Sequence, residues 1–340
     1  MTRKAFATRQ RCDTKTREIS GVFVRNIKKV VKELKKHDEV IIGCHVNPDG
    51  DTIGSMLALG LAFESMGKKV HMLSQDGVPG RYRFLSGAGR VRKSYGKPVS
   101  LAVSVDCGSK KILGSVAAAF DRADRVIEID HHECRVPFGD LRLIDTNAAC
   151  VGEIIYKVIK QMRVKVTKEI AESILTSVIV ETNSFRLPNV TASAFSLCAE
   201  LMGKGVDFYR LVDRVYWSKT REIIVLSGIC FSRCRFLKQG RLVWSIIKKD
   251  DFKRIRGKDE DVDAVADEMR AVSEVEIVAL FRENSHGNLR VSLRSKKGKN
   301  VAVVAEMFGG GGHPDVAGCT IPNNKKHIDT LLRALSRLLQ

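Results

Sequence analysis

The sequence predicts an α/β protein: a mainly parallel sheet in a larger N-terminal domain, followed by a smaller α/β C-terminal domain. Three observations carry this. Apolar runs of five to seven residues at 40–44, 69–73, 100–106 and 125–130 alternate with helix-spaced segments, the pattern of a parallel sheet with crossover helices. The chain has 340 residues, 44% of them hydrophobic, enough to fill two cores. Beyond residue 222 the pattern changes, and NLRVSLRS (288–295) alternates in the period-two manner of a strand.

Taken in order, residues 1–19 form a basic tail. Residues 20–37 place Val24, Ile27, Val30, Val31 and Leu34 at helical spacing under a lysine-rich face. After the strand at 40–44, a helix is expected from Thr52 to Met66, closed by Gly67. Helices follow at 150–163, at 167–181 with Thr167 as N-cap, and from Asn189 to Gly203 or Gly205. Residues 205–222 read as a short helix and polar linker. The divisions are therefore 1–19, 20–204, 205–222 and 223–340. The last domain carries strands at 241–248, 275–281 and 288–295, with helices at 260–272, 300–307 and 325–339. The glycine-rich run FGGGGHPDVAGCT lies at 308–320.

Charge narrows the partners. Lys and Arg number 58 against 39 Asp and Glu, a formal net charge of +19. Residues 1–36 hold twelve basic and three acidic side chains, about half of that excess. Such a balance favours polyanions, because each neutralised phosphate releases counterions. No run approaches the ~18 apolar residues of a membrane span, and the Arg-rich first 17 residues read as a tail rather than a transit peptide. The nine cysteines lack any CxxC or zinc-type spacing. Cys44 and Cys107 sit at apolar strand ends, as small buried hydrophobes in a reducing compartment would. The expected location is the cytoplasm.

Chemistry concentrates at strand ends. EVIIGCHVNPDGDTIGS (39–55) runs from a strand through a tight loop into a helix, and that loop carries His45, Asp49 and Asp51. An Asp in that place can simply cap the helix. Two later strands end alike, in Asp106 (VDCGS) and in Asp130 followed by His131 and His132. Ligand crevices of open α/β sheets lie at the strands' carboxyl ends, so converging Asp and His there suit a divalent metal. Glu181, at the end of a buried helix, is a further ligand candidate. His37, His71, His286 and His327 belong to no cluster and read as surface residues.

HVNPDGD, VDCGS, IDHHE, ETNSFR, VSLRS and GGGGHPDVAG, in this order, resemble the DHH phosphoesterase superfamily with a DHHA1 C-terminal domain, over about residues 20–335. The group most similar hydrolyses short oligoribonucleotides and 3′-phosphoadenosine 5′-phosphate (pAp). The resemblance implies two Mn²⁺ ions, with Mg²⁺ or Co²⁺ as substitutes. His45, Asp49 and Asp106 would hold one, and Asp51, Asp106, His131 and Glu181 the other. His132 would then donate to phosphoryl oxygens, with Asp130 orienting a histidine. Arg186, Ser292, Arg294, Gly310, Gly311, Gly312 and His313 would grip the substrate, in a cleft between the domains. The chain departs from the family pattern at Glu181 and Asn183, where ETN stands for DTG. The extra methylene shifts the carboxylate, and the glycine that readily takes positive φ is gone.

The implied activity is hydrolysis of short RNA or DNA oligonucleotides to mononucleotides, and of pAp to AMP. Competing readings are a linear or cyclic dinucleotide phosphodiesterase, a RecJ-like single-strand exonuclease and, in another class, a nucleotide- or RNA-binding protein with a degenerate site. The glycine-rich run argues against a pyrophosphatase of the same superfamily. The resemblance leaves room for a homodimer, without an interface signal in the sequence.

Overall fold

The computed structural model describes residues 26–133, 135–217, 220–255, 263–284, 286–296, 298–312 and 314–340. The basic tail lies outside them. The chain divides into two compact units, residues 1–218 and 219–340.

In the first unit, α1 (residues 26–36) leads to β1 (Glu39–Gly43), α2 (Gly50–Ser65) and β2 (Lys69–Leu73). Then come β3 (Leu101–Val105), the short α3 (Ala117–Phe120), β4 (Val126–Asp130) and β5 (Leu141–Ile144). The helices α4 (Val151–Met162), α5 (Lys168–Glu181), α6 (Ala192–Met202) and α7 (Phe208–Val212) complete the unit. The five strands are parallel, in the order β2-β1-β3-β4-β5. Val40 and Ile42 of β1 pack into the main core, whereas Ile41 packs with Phe120 and Val116 on the other face. Both faces are covered, which is why these strands read as unbroken apolar runs. Chain direction across the sheet reverses between β1 and β3, the place where such sheets open a crevice at their carboxyl ends.

The helix α2 is buried along most of its length and packs against α5. A Cβ on Gly54 would lie 2.3 Å from the Ser173 carbonyl oxygen, so only glycine permits this approach. The helix expected at 52–66 begins two residues earlier, at Gly50, because Asp49 caps it: the Thr52 N–H donates to Asp49 Oδ1 at 3.0 Å. Thr167 caps α5 as expected, and Thr191, not Asn189, caps α6.

Other elements differ from expectation. Residues 141–144 carried no strand prediction, yet pair with β4 as an edge strand. The stretch read as a polar linker holds α7, a π-helical turn at Asp213–Trp217 and the start of the next helix. Val206, Leu211 and Val215 anchor its first part in the core of the first unit. His37 and His71 are half-buried rather than on the surface, bonded to Glu33 and Glu39.

The second unit comprises α8 (Arg221–Ser232), β6 (Arg235–Leu237), β7 (Leu242–Ile247), α9 (Lys249–Ile255) and α10 (Asp263–Arg270), followed by β8 (Ile277–Glu283) and β9 (Asn288–Ser295). The chain then forms α11 (Ala302–Met307), β10 (Gly311–Gly312), β11 (Val316–Pro322) and α12 (Lys325–Arg337). Its mixed sheet runs β10-β11-β9-β8-β7-β6, with only β7 and β8 parallel. One core includes Leu331 and Leu335 of α12, the other Leu226 of α8 and Met269 of α10. Part of the glycine-rich run is strand rather than loop: Gly311 pairs with Gly318, and Gly312 with Ala317.

Candidate metal centre and substrate-binding residues

The carboxyl ends of β1, β3 and β4 bring His45, Asp49, Asp51, Asp106, Asp130, His131 and His132 together, and the end of α5 adds Glu181. Asp106 is the shared member. It adopts φ +58°, a left-handed conformation that costs a non-glycine residue energy and here turns its carboxylate into the cluster. Its Oδ2 lies 3.6 Å from His45 Nε2, and its Oδ1 lies 3.9 Å from His131 Nε2 and 3.6 Å from His132 Nδ1. That Oδ1 is buried and has no hydrogen-bond partner.

The imidazoles are oriented for the same purpose. His45 Nδ1 is 2.7 Å from the Val46 carbonyl and His131 Nδ1 is 3.2 Å from that of Ala148. A carbonyl only accepts, so Nδ1 carries a proton in each ring and Nε2 faces the acids. His131 Nε2 stands 3.8 Å from Asp51 Oδ2 and 3.9 Å from Glu181 Oε1. The longer Glu181 side chain thus comes as near to His131 as Asp106 does. His132 Nδ1 is bound instead by Asp130 Oδ1, at 2.7 Å.

Asp51 is fully buried. Its Oδ1 accepts from Ser177 Oγ at 2.6 Å and Ser55 Oγ at 3.1 Å, and its carboxylate also takes the Val151 and Gly152 N–H groups at the start of α4. That helix terminus favours negative charge. Burial nonetheless pushes the Asp51 carboxyl up to about 7, with the Asp106 charge adding to the effect. Burial also opposes charge on Asp106, but the polar contact and charge of His45 win and hold it well below the usual carboxylate range. For His45, burial is outweighed by its polar contact with Asp106 and by the charges of Asp106 and Asp49, which lift it to about 9. His132 rises to about 9 because the Asp130 bond overcomes burial.

Among the described residues, two groups of donor atoms fall within 4.8 Å of one another: His45, Asp49 and Asp106, and Asp106, His131 and His132. Carboxylates and neutral imidazoles suit hard or borderline divalent ions. The orphaned Asp106 Oδ1, buried beside two imidazoles, is the observation that fits these residues to a cation.

Sequence reasoning missed Thr52. Its Oγ1 lies 2.6 Å from His45 Nε2, 2.6 Å from Asp106 Oδ2 and 3.0 Å from Asp49 Oδ1. Its place three residues after a capping Asp was the available signal. Asn189 was also missed. Its Nδ2 donates to the carbonyls of Ala149 and Glu181, both at 3.1 Å, tying the end of α5 to the loop before α4.

Arg186 is exposed, and two of its N–H groups are taken by Asn183. In the second unit, Ser292 and Arg294 share one face of β9. Ser292 Oγ accepts from Arg282 at 2.7 Å, and Arg294 Nε donates to Asp267 at 3.0 Å. Gly311, Gly318 and Ser292 form one cross-strand row, and a Cβ on Gly310 would strike the Gly318 carbonyl. His313 lies outside the described residues.

Comparison with known proteins shows the family. Residues 39–179 match the model for the DHH family N-terminal domain, and residues 243–340 match that for the DHHA1 domain. The chain belongs to the DHH family. It is 31% identical over 321 residues to the bifunctional oligoribonuclease and PAP phosphatase NrnA of Thermus thermophilus, covering 92% of each chain. The probable bifunctional oligoribonuclease and PAP phosphatase NrnA of Streptococcus mutans is 27% identical over 304 residues, covering 86% of this chain and 92% of that one. An exopolyphosphatase-related protein from Bacteroides fragilis has the same fold, with a TM-score of 0.86 at 20% identity, covering 93% of this chain and 98% of that one. Among the described residues no helix is long and apolar enough to cross a membrane.

Proposed function

We propose that the chain is a metal-dependent phosphoesterase that hydrolyses short oligoribonucleotides to mononucleotides and pAp to AMP. The observation that carries this reading is Asp106, whose two oxygens face separate sets of ligands. His45, Asp49 and Asp106 would hold one ion, and Asp51, Asp106, His131 and Glu181 would hold a second, with Mn²⁺ proposed for both. Ions in such a pair lower the pKa of a water, orient a phosphate and offset charge on the attacking and leaving oxygens.

The protein's own groups do the rest. Asp130 fixes the His132 ring by its 2.7 Å contact to Nδ1 and favours the protonated form, which suits donation to a phosphoryl oxygen. Arg186 supplies a guanidinium whose fork matches a phosphate. Ser292, Arg294, Gly310, Gly311, Gly312 and His313 are the proposed grip on the nucleotide. Gly311 and Gly318, standing in the Ser292 row, leave that surface without side chains. A cytoplasmic location belongs to the same proposal, supported by Cys44, Cys107 and Cys150 lying buried as free thiols.

The test is a Mn²⁺-dependent time course on 5′-labelled RNAs of two, three, five, seven and 24 nucleotides, with pAp alongside and Glu181→Asp in parallel. The expected result is rapid conversion of the shortest RNAs, slow attack on the 24-mer, and turnover of pAp. No turnover by the native chain, with activity in Glu181→Asp, would make the native protein a nucleotide-binding one.

A further inference from the structure

The segment after Glu181 carries strain that its hydrogen bonding alone does not require. Asn183, Ser184 and Phe185 have φ of +46°, +54° and +63°. L-residues rarely adopt the left-handed region, and three successive non-glycine residues there are strained backbone. The turn is held by the Ser184 N–H on the Ile179 carbonyl at 2.7 Å, the Phe185 N–H on Thr182 Oγ1 at 3.1 Å and the Arg186 N–H on the Thr182 carbonyl at 2.9 Å. It places Phe185 and Arg186 within five residues of Glu181, a ligand candidate.

Both groups are prepared. Asn183 clamps Arg186 twice: Nε donates to its carbonyl and Nη2 to its Oδ1, both at 2.8 Å. The remaining Arg186 N–H groups have no partner among the described residues. The Phe185 ring stacks with two others: Phe208, with centroids 6.4 Å apart at 26°, and Phe195, 4.7 Å apart at 16°. Phe185 and Phe208 are half-buried, whereas Phe195 is 55% exposed. An exposed ring already stacked on a half-buried one offers its surface to a further flat π-system. Arg186, the residue after Phe185, supplies a cation that favours one carrying phosphate. In a chain of net charge +19, an aromatic ring together with a positioned arginine is how single-stranded nucleic acid is held without reading its sequence.

We propose that Phe195 is a base-stacking subsite, which takes a nucleobase of the oligonucleotide while Arg186, positioned by Asn183, takes an adjoining phosphate. The inference rests on the phosphoesterase reading above and adds to it a reason for preferring a nucleotide chain to a bare phosphate ester. Stacking on one base also predicts sequence tolerance, because every base has a π-face.

The experiment uses the full chain and two variants, Phe195→Ala and Phe195→Trp. Substrates are the dinucleotide pApA and the same dinucleotide without bases, and the readout is KM apart from kcat. Phe195→Ala should raise KM for pApA about tenfold or more, the scale of one lost base stack, and should alter KM for the abasic analogue far less. Phe195→Trp should restore affinity for pApA. With Ca²⁺ in place of Mn²⁺ to suppress turnover, pApA should quench the new indole, whereas inorganic phosphate should not. Equal KM changes on both substrates, or no quenching by pApA, would overturn the subsite. Because quenching reads binding without turnover, inactivity of the native chain would sink the catalytic reading while leaving the subsite testable. Thermal melts of both variants check that the exposed position tolerates the changes.

Discussion

Thr52 Oγ1 donates to Asp106 Oδ2 at 2.6 Å, joining the first turn of α2 to the end of β3 across 54 positions of sequence. The same oxygen touches His45 and Asp49, so one neutral hydroxyl keeps three ligand candidates in register. Thr52→Val keeps the shape and removes those contacts. Partners that orient metal ligands are typically worth about 10- to 100-fold in affinity. Mn²⁺ affinity, measured by titration with electron paramagnetic detection of the free ion, should fall within that range, and Thr52→Ser should recover most of it. Unchanged binding in Thr52→Val would remove Thr52 from the centre.

Proton and metal compete for His45. Burial disfavours its protonated form, but the Asp106 contact and the charges of Asp106 and Asp49 raise its pKa to about 9. Below that value Nε2 carries the proton that a cation must displace. Affinity for Mn²⁺ at the first site should therefore rise with pH, by up to about tenfold per unit, and level off near 9. The linkage to stability has the opposite slope. In metal-free protein, the His45 contribution is complete below its ordinary pKa of 6.5 and is lost as pH rises through about 9. Thermal melts of metal-free native protein and His45→Gln should differ most at the acid end of that window and converge at its alkaline end.

Asn189 acts on the other half of the centre. Its amide holds the carbonyls of Ala149 and Glu181, so the loop before the Asp51-binding helix terminus cannot drift from the Glu181 backbone. Asn189→Asp replaces a double donor with an acceptor facing two carbonyls. The expected outcome is loss of the weaker of two Mn²⁺ binding steps in calorimetry, with the stronger step retained. A variant that binds both ions as the native protein does would exclude this role.

Gly54 tests the scaffold apart from the chemistry. Its missing Cβ leaves room for the Ser173 carbonyl 2.3 Å from where that atom would lie. Gly54→Ala must push α2 away from α5, an overpacking cost of roughly 1–3 kcal/mol. Urea unfolding should show a lower midpoint with an unchanged slope. If alanine instead stabilises the protein, the two helices are less rigidly packed than described.

His45, Asp106 and His131 were legible in the sequence because a polar residue ending an apolar run is conspicuous, and the strand order then makes their convergence a matter of topology. Asp49 was ambiguous for a physical reason: it caps α2 and faces the cluster at once, and a sequence shows only that either role is available. Thr52 was hidden because threonine in a first helical turn is ordinary, and its importance lies in a contact with a residue on another strand. The edge strand β5 was missed because LRLI is short and buries only Leu143 fully. The strand character of Gly311 and Gly312 was missed because glycine carries no pattern of its own and pairs only where a partner strand arrives. Asn183 was noticed for its backbone, whereas its side chain holds Arg186, which nothing in the local pattern foretells.

The Asp51 carboxylate is gripped by Ser177, 126 positions further along the chain, and Asp106 serves ligands from two other strands. No short segment of this protein holds the whole donor set, so an ion recognises the assembled sheet and very little of the unfolded chain. Binding energy then goes almost wholly into the native state, and each tenfold rise in free ion above its dissociation constant adds about 1.4 kcal/mol to the free energy of unfolding. A cell starved of the ion would lose more than turnover. It would hold a shorter-lived protein, more open to proteolysis, and the supply of the metal would set its abundance as well as its rate.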